Sequence, residues 1–210
     1  ALRPIGVRRY LVPGLAALGV AAAAFVLWRI LPNKKSGIVY PPVTEHSIAV
    51  ISFENQTGDP AYDTFRKSIP NLLITSLEQQ GPLHVATWER MRDILKQMGK
   101  GGMEVIDQDS GFEICRREGI GAIVIGSLVR AGDTFVTDVK VLDSRTKRSL
   151  KSANSSGTGV GSIFAQIDEL SRQIALAIGL SEPQIAASQR PIADVSTNSM
   201  EAYSFYLRGV

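Results

Sequence analysis

The sequence predicts an α/β fold, a mixed sheet with packed helices in the order β-α-β-α-α-β-β-β-α, preceded by a single transmembrane helix. Three patterns carry that prediction. The first is an uncharged run of 19 residues close to the start of the 210-residue chain. The others are short β-branched runs punctuated by Gly, Pro, Asn and Asp, and longer stretches whose apolar residues recur at helical spacing.

The uncharged run extends from Tyr10 to Trp28, with Arg8 and Arg9 before it and Arg29, Lys34 and Lys35 after it. At 1.5 Å per residue it covers roughly 28 Å, the thickness of a bilayer's hydrocarbon core. Tyr10 and Trp28 stand where amphipathic rings prefer the headgroup level, and Pro13 falls in the first turn, where it does little harm. A cleaved signal would place its small residues at the end of the apolar core, yet Ala21 to Ala24 lie mid-run with Phe25 to Trp28 still to come. Arg8-Arg9 also resembles a twin-arginine signal, but a basic anchor at the helix end is the preferred reading. A lipoprotein anchor is excluded because the sole cysteine is Cys115. Residues 1–9 are thus a basic juxtamembrane segment, 10–31 a helix with membrane lipid as its partner, and 32–46 a linker. Each flank carries three basic residues, so charge does not choose the orientation.

Ser47 to Phe53 reads as a buried strand, ended by the turn chemistry of Asn55, Gly58, Asp59 and Pro60. Phe65, Ile69, Leu72, Leu73 and Leu77 form one face of a helix over 63–80, with Pro70 marking a kink or a fresh start after Ser68. Leu83 to Thr87 is a short strand, and Glu89 to Met98 a helix with Met91, Ile94, Leu95 and Met98 inward. Ser110 to Glu118 is a further helix that leads into a strand over Ala122 to Val129. Gly132-Asp133 supplies a hairpin turn into a half-buried strand, where Phe135, Thr137, Val139 and Val141 alternate with Asp138 and Lys140. Arg148 to Gly157 follows as a polar edge strand. Ser162 is read as the cap of a helix whose stripe is Ile163, Ile167, Leu170, Ile174 and Ile178. Residues 181–197 are read as a linker, and Asn198-x-x-Glu201 as the capping box of a helix over 198–210. A chain that begins at Ala1 and stops inside a helical pattern is expected to be a segment of a longer protein.

Charge narrows the function classes. The formal charge is +3, but six of the 23 basic residues and none of the 20 acids fall in 1–35, which leaves 17 against 20 in the remainder. The soluble part has no electrostatic case for nucleic acid. His46 and His84 lack metal-ligand spacing, and Cys115 lies beside Phe112 as a small core residue without a partner histidine in view. Asp107-x-Asp109-x-Gly111 imitates a calcium loop but lacks its closing Glu, so it reads as a turn and helix cap. Gly157-x-Gly159-x-Gly161 fits neither a dinucleotide fingerprint nor a P-loop. No cofactor is implied, and no catalytic residue is assigned.

Five segments in order resemble the TolB-like amino-terminal domain of bacterial envelope and signalling proteins. They are Ile48 to Pro60 (IAVISFENQTGDP), Leu72 to Leu77, Gly121 to Asp133 (GAIVIGSLVRAGD), Val139 to Asp143, and the helix Ile163 to Leu180. The resemblance covers residues 47–180. The tail Met200 to Gly209 is similar to the first helix of the tetratricopeptide repeats that commonly follow this domain. With the anchor, the combination most resembles the region after the kinase domain in bacterial receptor-type serine/threonine protein kinases; winged-helix regulators and nucleotide cyclases carry related arrangements. The resemblance implies a non-catalytic sensing or protein-interaction module outside the inner membrane, with a structural envelope-assembly component as the alternative. It leaves the parent's enzyme domain open. Many relatives carry a Trp near the polar edge strand, whereas Ser149 to Ser156 has none. The candidate interaction residues are Asn55 and Asp59 in the loop over 54–63, and Arg145, Lys147, Arg148 and Lys151 beside the polar edge, where the bland reading is a solvated hairpin tip.

Overall fold

The structure is a computed structural model that describes residues 40–188, 190–196 and 202. The transmembrane helix read over 10–31 and the repeat helix read over 198–210 lie outside the described residues, apart from Ala202. Among the described residues, no helix is long and apolar enough to cross a membrane.

Strand β1 (Thr44–Val50) opens a mixed sheet. Its companions are β2 (Glu54–Gln56), β3 (His84–Ala86), β4 (Ile120–Ala131), β5 (Thr134–Asp143) and β6 (Ser149–Thr158). The order across the sheet is β3-β1-β4-β5-β6, with β2 also paired to β4. The pairs β1–β3, β1–β4 and β2–β4 are parallel, and β4–β5 and β5–β6 are antiparallel. Helix α1 (Phe65–Glu78) links β1 and β2 to β3, and α2 (Trp88–Gln97) with α3 (Gln108–Glu118) link β3 to β4. These crossovers run in opposite directions across the sheet, so the right-handed rule places α1 on one face and α2 with α3 on the other. Helix α4 (Ser162–Ala177) shares the α1 face.

The first strand begins three residues earlier than predicted, so Thr44 to His46 belong to β1 and not to a linker. What was read as turn chemistry at Asn55 is strand β2. Val50 pairs with Val124 and Glu54 with Ser127, so β1 and β2 run along β4 as one strand interrupted by one extra residue. That slip inverts the facing of every later side chain. Ile51 packs beside Ile123 under α3, where both meet Gly111, whereas Phe53 turns to the α1 and α4 face and lies over Gly126. The Ser52 hydroxyl accepts a hydrogen bond from Ile106 N at 2.9 Å, which fixes the step.

Pro70 does not restart its helix: α1 runs unbroken from Phe65 to Glu78. A proline at this position leaves the Arg66 carbonyl without its helical donor. Phe53 N–H donates to that carbonyl at 3.0 Å, so the lost bond is replaced by one that ties the helix to the broken strand. Phe65, Ile69, Leu72, Leu73 and Leu77 are all buried, as are Met91, Ile94 and Leu95 of α2.

Ser162 is the first residue of α4, not its cap; its hydroxyl donates to Gly159 O at 2.7 Å and accepts from Gln166 Nε2 at 3.0 Å. Gln166 is buried at the joint of α4 and β5. Its amide oxygen accepts from Thr137 N at 3.1 Å and Thr137 Oγ1 at 2.8 Å, and its amide nitrogen also donates to Phe135 O at 3.2 Å. Gln166→Leu strands these groups away from water and is expected to lower unfolding free energy by about 1–3 kcal/mol. Urea denaturation with an unchanged m-value checks this.

Residues 181–197, read as a linker, carry two short helices, α5 (Glu182–Ser188) and α6 (Ile192–Val195). Ile185 and Ile192 are buried, and Ile192 N–H donates to Asp168 Oδ1 at 2.9 Å. This strap folds back over α4 instead of leading away from it.

Candidate interaction surface

Asn55 and Asp59 hold their own loop together. Asn55 Nδ2 donates to Asp59 O at 3.0 Å and to Asp63 Oδ1 at 2.7 Å, while its oxygen accepts from Thr57 N at 3.1 Å and Thr57 Oγ1 at 2.7 Å. Asp59 Oδ1 accepts from Ala61 N at 2.9 Å and so caps a 3-10 turn over Pro60–Tyr62. An Asn placed between strand and turn can satisfy both amide ends locally, and this one does.

The four basic candidates do not converge. Asp143 Oδ1 accepts from Thr146 N at 2.7 Å and Arg145 N at 3.1 Å, and the Thr146 N–H holds the Asp143 carboxyl below the usual carboxylate range. This fixes the turn, with Lys147 in the left-handed conformation at φ 58°. Lys147 Nζ then sits 4.7 Å from the centre of the Phe112 ring and 3.8 Å from Asp109 Oδ1, on the α3 side. Lys151, opposite the buried Val141, lies on the α4 side beside Gln173, Leu176 and Ala177. Arg145 and Arg148 are exposed at the turn and at the foot of the edge.

Beyond β6 the sheet has no further strand among the described residues. Gly159 N–H donates to Asp133 O, and the pairs Phe135–Gly157, Thr137–Ser155 and Val139–Ala153 follow in the same register. Antiparallel alternation then turns the backbone N–H and C=O groups of Ser152, Asn154 and Ser156 away from β5. The side chains of these three residues lie on the face opposite α4. Among the described residues no helix covers β5 and β6 there, and the step from this bare face up to α3 encloses a polar cleft of about 480 Å³. Ser52, Glu54, Gln108, Asp138, Lys140 and Asn154 contribute to its walls. The alternation of Asp138 and Lys140 is visible in the sequence; the cleft is not, because Glu54 reaches it only through the slip at Ser52.

Elsewhere the titratable side chains serve the scaffold. Asp107 caps α3 by accepting from Ser110 N at 2.7 Å, and this bond holds its carboxyl below the ordinary range. Burial pushes the Cys115 thiol up to about 12, and the side chain is fully enclosed. His46 Nδ1 bonds Ile178 O at 2.9 Å, and His84 is exposed on β3. Among the described residues, no group of three His, Cys, Asp or Glu side chains could hold a metal ion.

No family model matches the chain, and no curated protein matches it. Among solved structures it is similar to the C-terminal domain of LpoB from Escherichia coli, at 14% identity and TM-score 0.44, over 63% of this chain and 93% of that one. Lipoprotein GNA1162 from Neisseria meningitidis aligns at 18% identity and TM-score 0.46, over 62% and 96%. TolB from Acinetobacter baumannii aligns at 14% identity and TM-score 0.43, over 67% of this chain but 30% of TolB. At these scores the likenesses carry no functional inference.

Proposed function

We propose that this chain is a non-catalytic protein-docking module of the bacterial envelope, held beside the inner membrane by residues 10–31, which engages a protein partner by strand addition along β6. The free edge of ten residues carries the reading: its outward N–H and C=O groups at Ser152, Asn154 and Ser156 form a ladder with one side missing. The scaffold behind it is fixed by Gln166, so a partner meets a preformed edge and orders little of this chain on binding. Placement outside the inner membrane, and the TolB-like identity, rest on the ordered segments of the sequence. A second reading, the sensing region of a receptor-type kinase, is favoured by the likeness of Met200 to Gly209 to a repeat helix; a kinase catalytic loop encoded upstream of Ala1 separates the two.

The test is made in intact cells. A photo-cross-linking residue at Ser156 is expected to give a discrete protein adduct, and one at Glu89 on α2 is not. With the cross-linking residue kept at position 156, Ser152→Pro with Asn154→Pro removes two outward donors while leaving the ladder to β5 intact, and should abolish the adduct with little change in Tm. In spheroplasts, an impermeant maleimide should label Asp133→Cys against a silent background, since Cys115 is buried. An adduct that survives both prolines defeats edge docking, and a protected cysteine defeats the location.

A further inference from the structure

The chemistry surrounding β6 goes further than the presence of an open edge. From Ser144 to Thr158 the chain holds Arg145, Lys147, Arg148 and Lys151 and no acidic residue. Lys147 is drawn to Asp109 and the Phe112 ring, and the nearest upstream carboxylate, Asp143, is occupied by the turn. Arg148 and Lys151 have no carboxylate partner among the ion pairs of the described residues. Two unpaired cations therefore flank the start of the edge.

Apolar surface lies beside them. A bulge between Val141 and Leu142 leaves Leu150 unpaired and 48% exposed, one of two large apolar side chains that stand out from the described surface. Next to it, Lys151, Gln173, Leu176 and Ala177 enclose a notch of about 200 Å³ on the α4 side. On the opposite face, Ser152, Asn154 and Ser156 offer only small polar groups.

Resting on the edge-docking reading above, we infer that the β6 edge selects an extended segment of a partner protein that is acidic and aliphatic on its α4-facing side and polar on the other. Residues of such a segment opposite Ser152 and Asn154 exchange backbone hydrogen bonds with them and lay polar side chains on the bare face. The intervening residues project to the α4 side, where carboxylates meet Lys151 and Arg148 and an aliphatic side chain enters the notch between Leu176 and Ala177. Period-two alternation makes the two demands compatible in one strand. A second copy of β6 fits less well, because it brings its own Lys151 and Arg148 and no acid.

The probes are three acetylated, amidated heptapeptides: Thr-Glu-Thr-Leu-Thr-Glu-Thr, its version with Lys for both Glu, and the Glu peptide with N-methyl groups on its third and fifth residues. Each is titrated into the isotopically labelled full chain in detergent micelles while backbone amide shifts are followed. The Glu peptide should shift Ser152, Asn154 and Ser156 and bind roughly tenfold tighter than the Lys peptide, as expected for two cross-strand charge pairs made attractive in one case and repulsive in the other. N-methylation should abolish binding. Lys151→Glu, exposed and remote from the core, should reverse the preference without moving Tm. Equal binding of the Glu and Lys peptides at the same amides overturns the acidic selectivity and leaves edge docking standing. No shift with either peptide removes both. Concentration-dependent self-association that shields those amides gives the edge to a second copy and overturns the proposal.

Discussion

Gly126→Ala is expected to lower unfolding free energy by about 3 kcal/mol, at the upper end of what one added carbon costs in a packed interior. A β-carbon built there lies 2.5 Å from Asp138 O and 2.5 Å from both Cε2 and Cζ of Phe53. Neither neighbour yields cheaply. Asp138 O is backbone of the adjoining strand, so relief from it requires β4 and β5 to separate where Gly126 pairs with Val139. Phe53 is 1% exposed, and its own N–H is held by Arg66 O. Gly102→Ala is the control, because a β-carbon there meets nothing within 4 Å; its cost should stay within about 0.5 kcal/mol. Equal urea midpoints for the two variants would show that Phe53 does not rest on Gly126.

Long periodic elements were legible because their signal is local. The stripe from Ile163 to Ile174 and the face from Phe65 to Leu77 are written at helical spacing, and both are buried where the pattern places them. Gly132-Asp133 identified its hairpin because a two-residue turn needs a residue that accepts positive φ, and Gly132 adopts 60°. What remained hidden depends on a partner strand or on tertiary contact. Glu54 to Gln56 has no apolar alternation, and only its pairing with Ser127 to Val129 makes it a strand. The strap after α4 contributes Ile185 and Ile192, two apolar residues too far apart and too isolated for a periodic reading. The basic cluster looked like one patch because its members are close in sequence, yet Lys147 lies in a left-handed turn before the strand and the bulge at Leu150 breaks the alternation between them, so Lys147 and Lys151 end on different sides of the sheet. The edge itself was legible from its polarity. Which of its backbone groups point outward required the register.

Phe53→Ala is expected to cost about 3–5 kcal/mol, the range for removing a fully buried aromatic ring. Its effect reaches beyond the lost volume, because Phe53 sits where β1 gives way to β2 and holds the slipped strand in place over Gly126. With the ring gone, the three-residue β2 keeps its pairing with β4 and the hydrogen bonds of Asn55 but loses its anchor in the core, and the amide of Gln56 should exchange with solvent faster than those of β5. Glu54 then loses its fixed position in the wall of the polar cleft, whereas the β6 edge, paired to β5 and packed on α4, should still bind the acidic heptapeptide once the chain is folded. Combining Phe53→Ala with Gly126→Ala discriminates further. The double variant removes the ring half of the steric conflict and keeps the Asp138 half, so its loss should fall short of the summed single losses by about 1 kcal/mol or more. Strict additivity would mean that the ring and the glycine do not meet. A full return to the cost of Phe53→Ala alone would assign the whole conflict to the ring and none to the neighbouring strand.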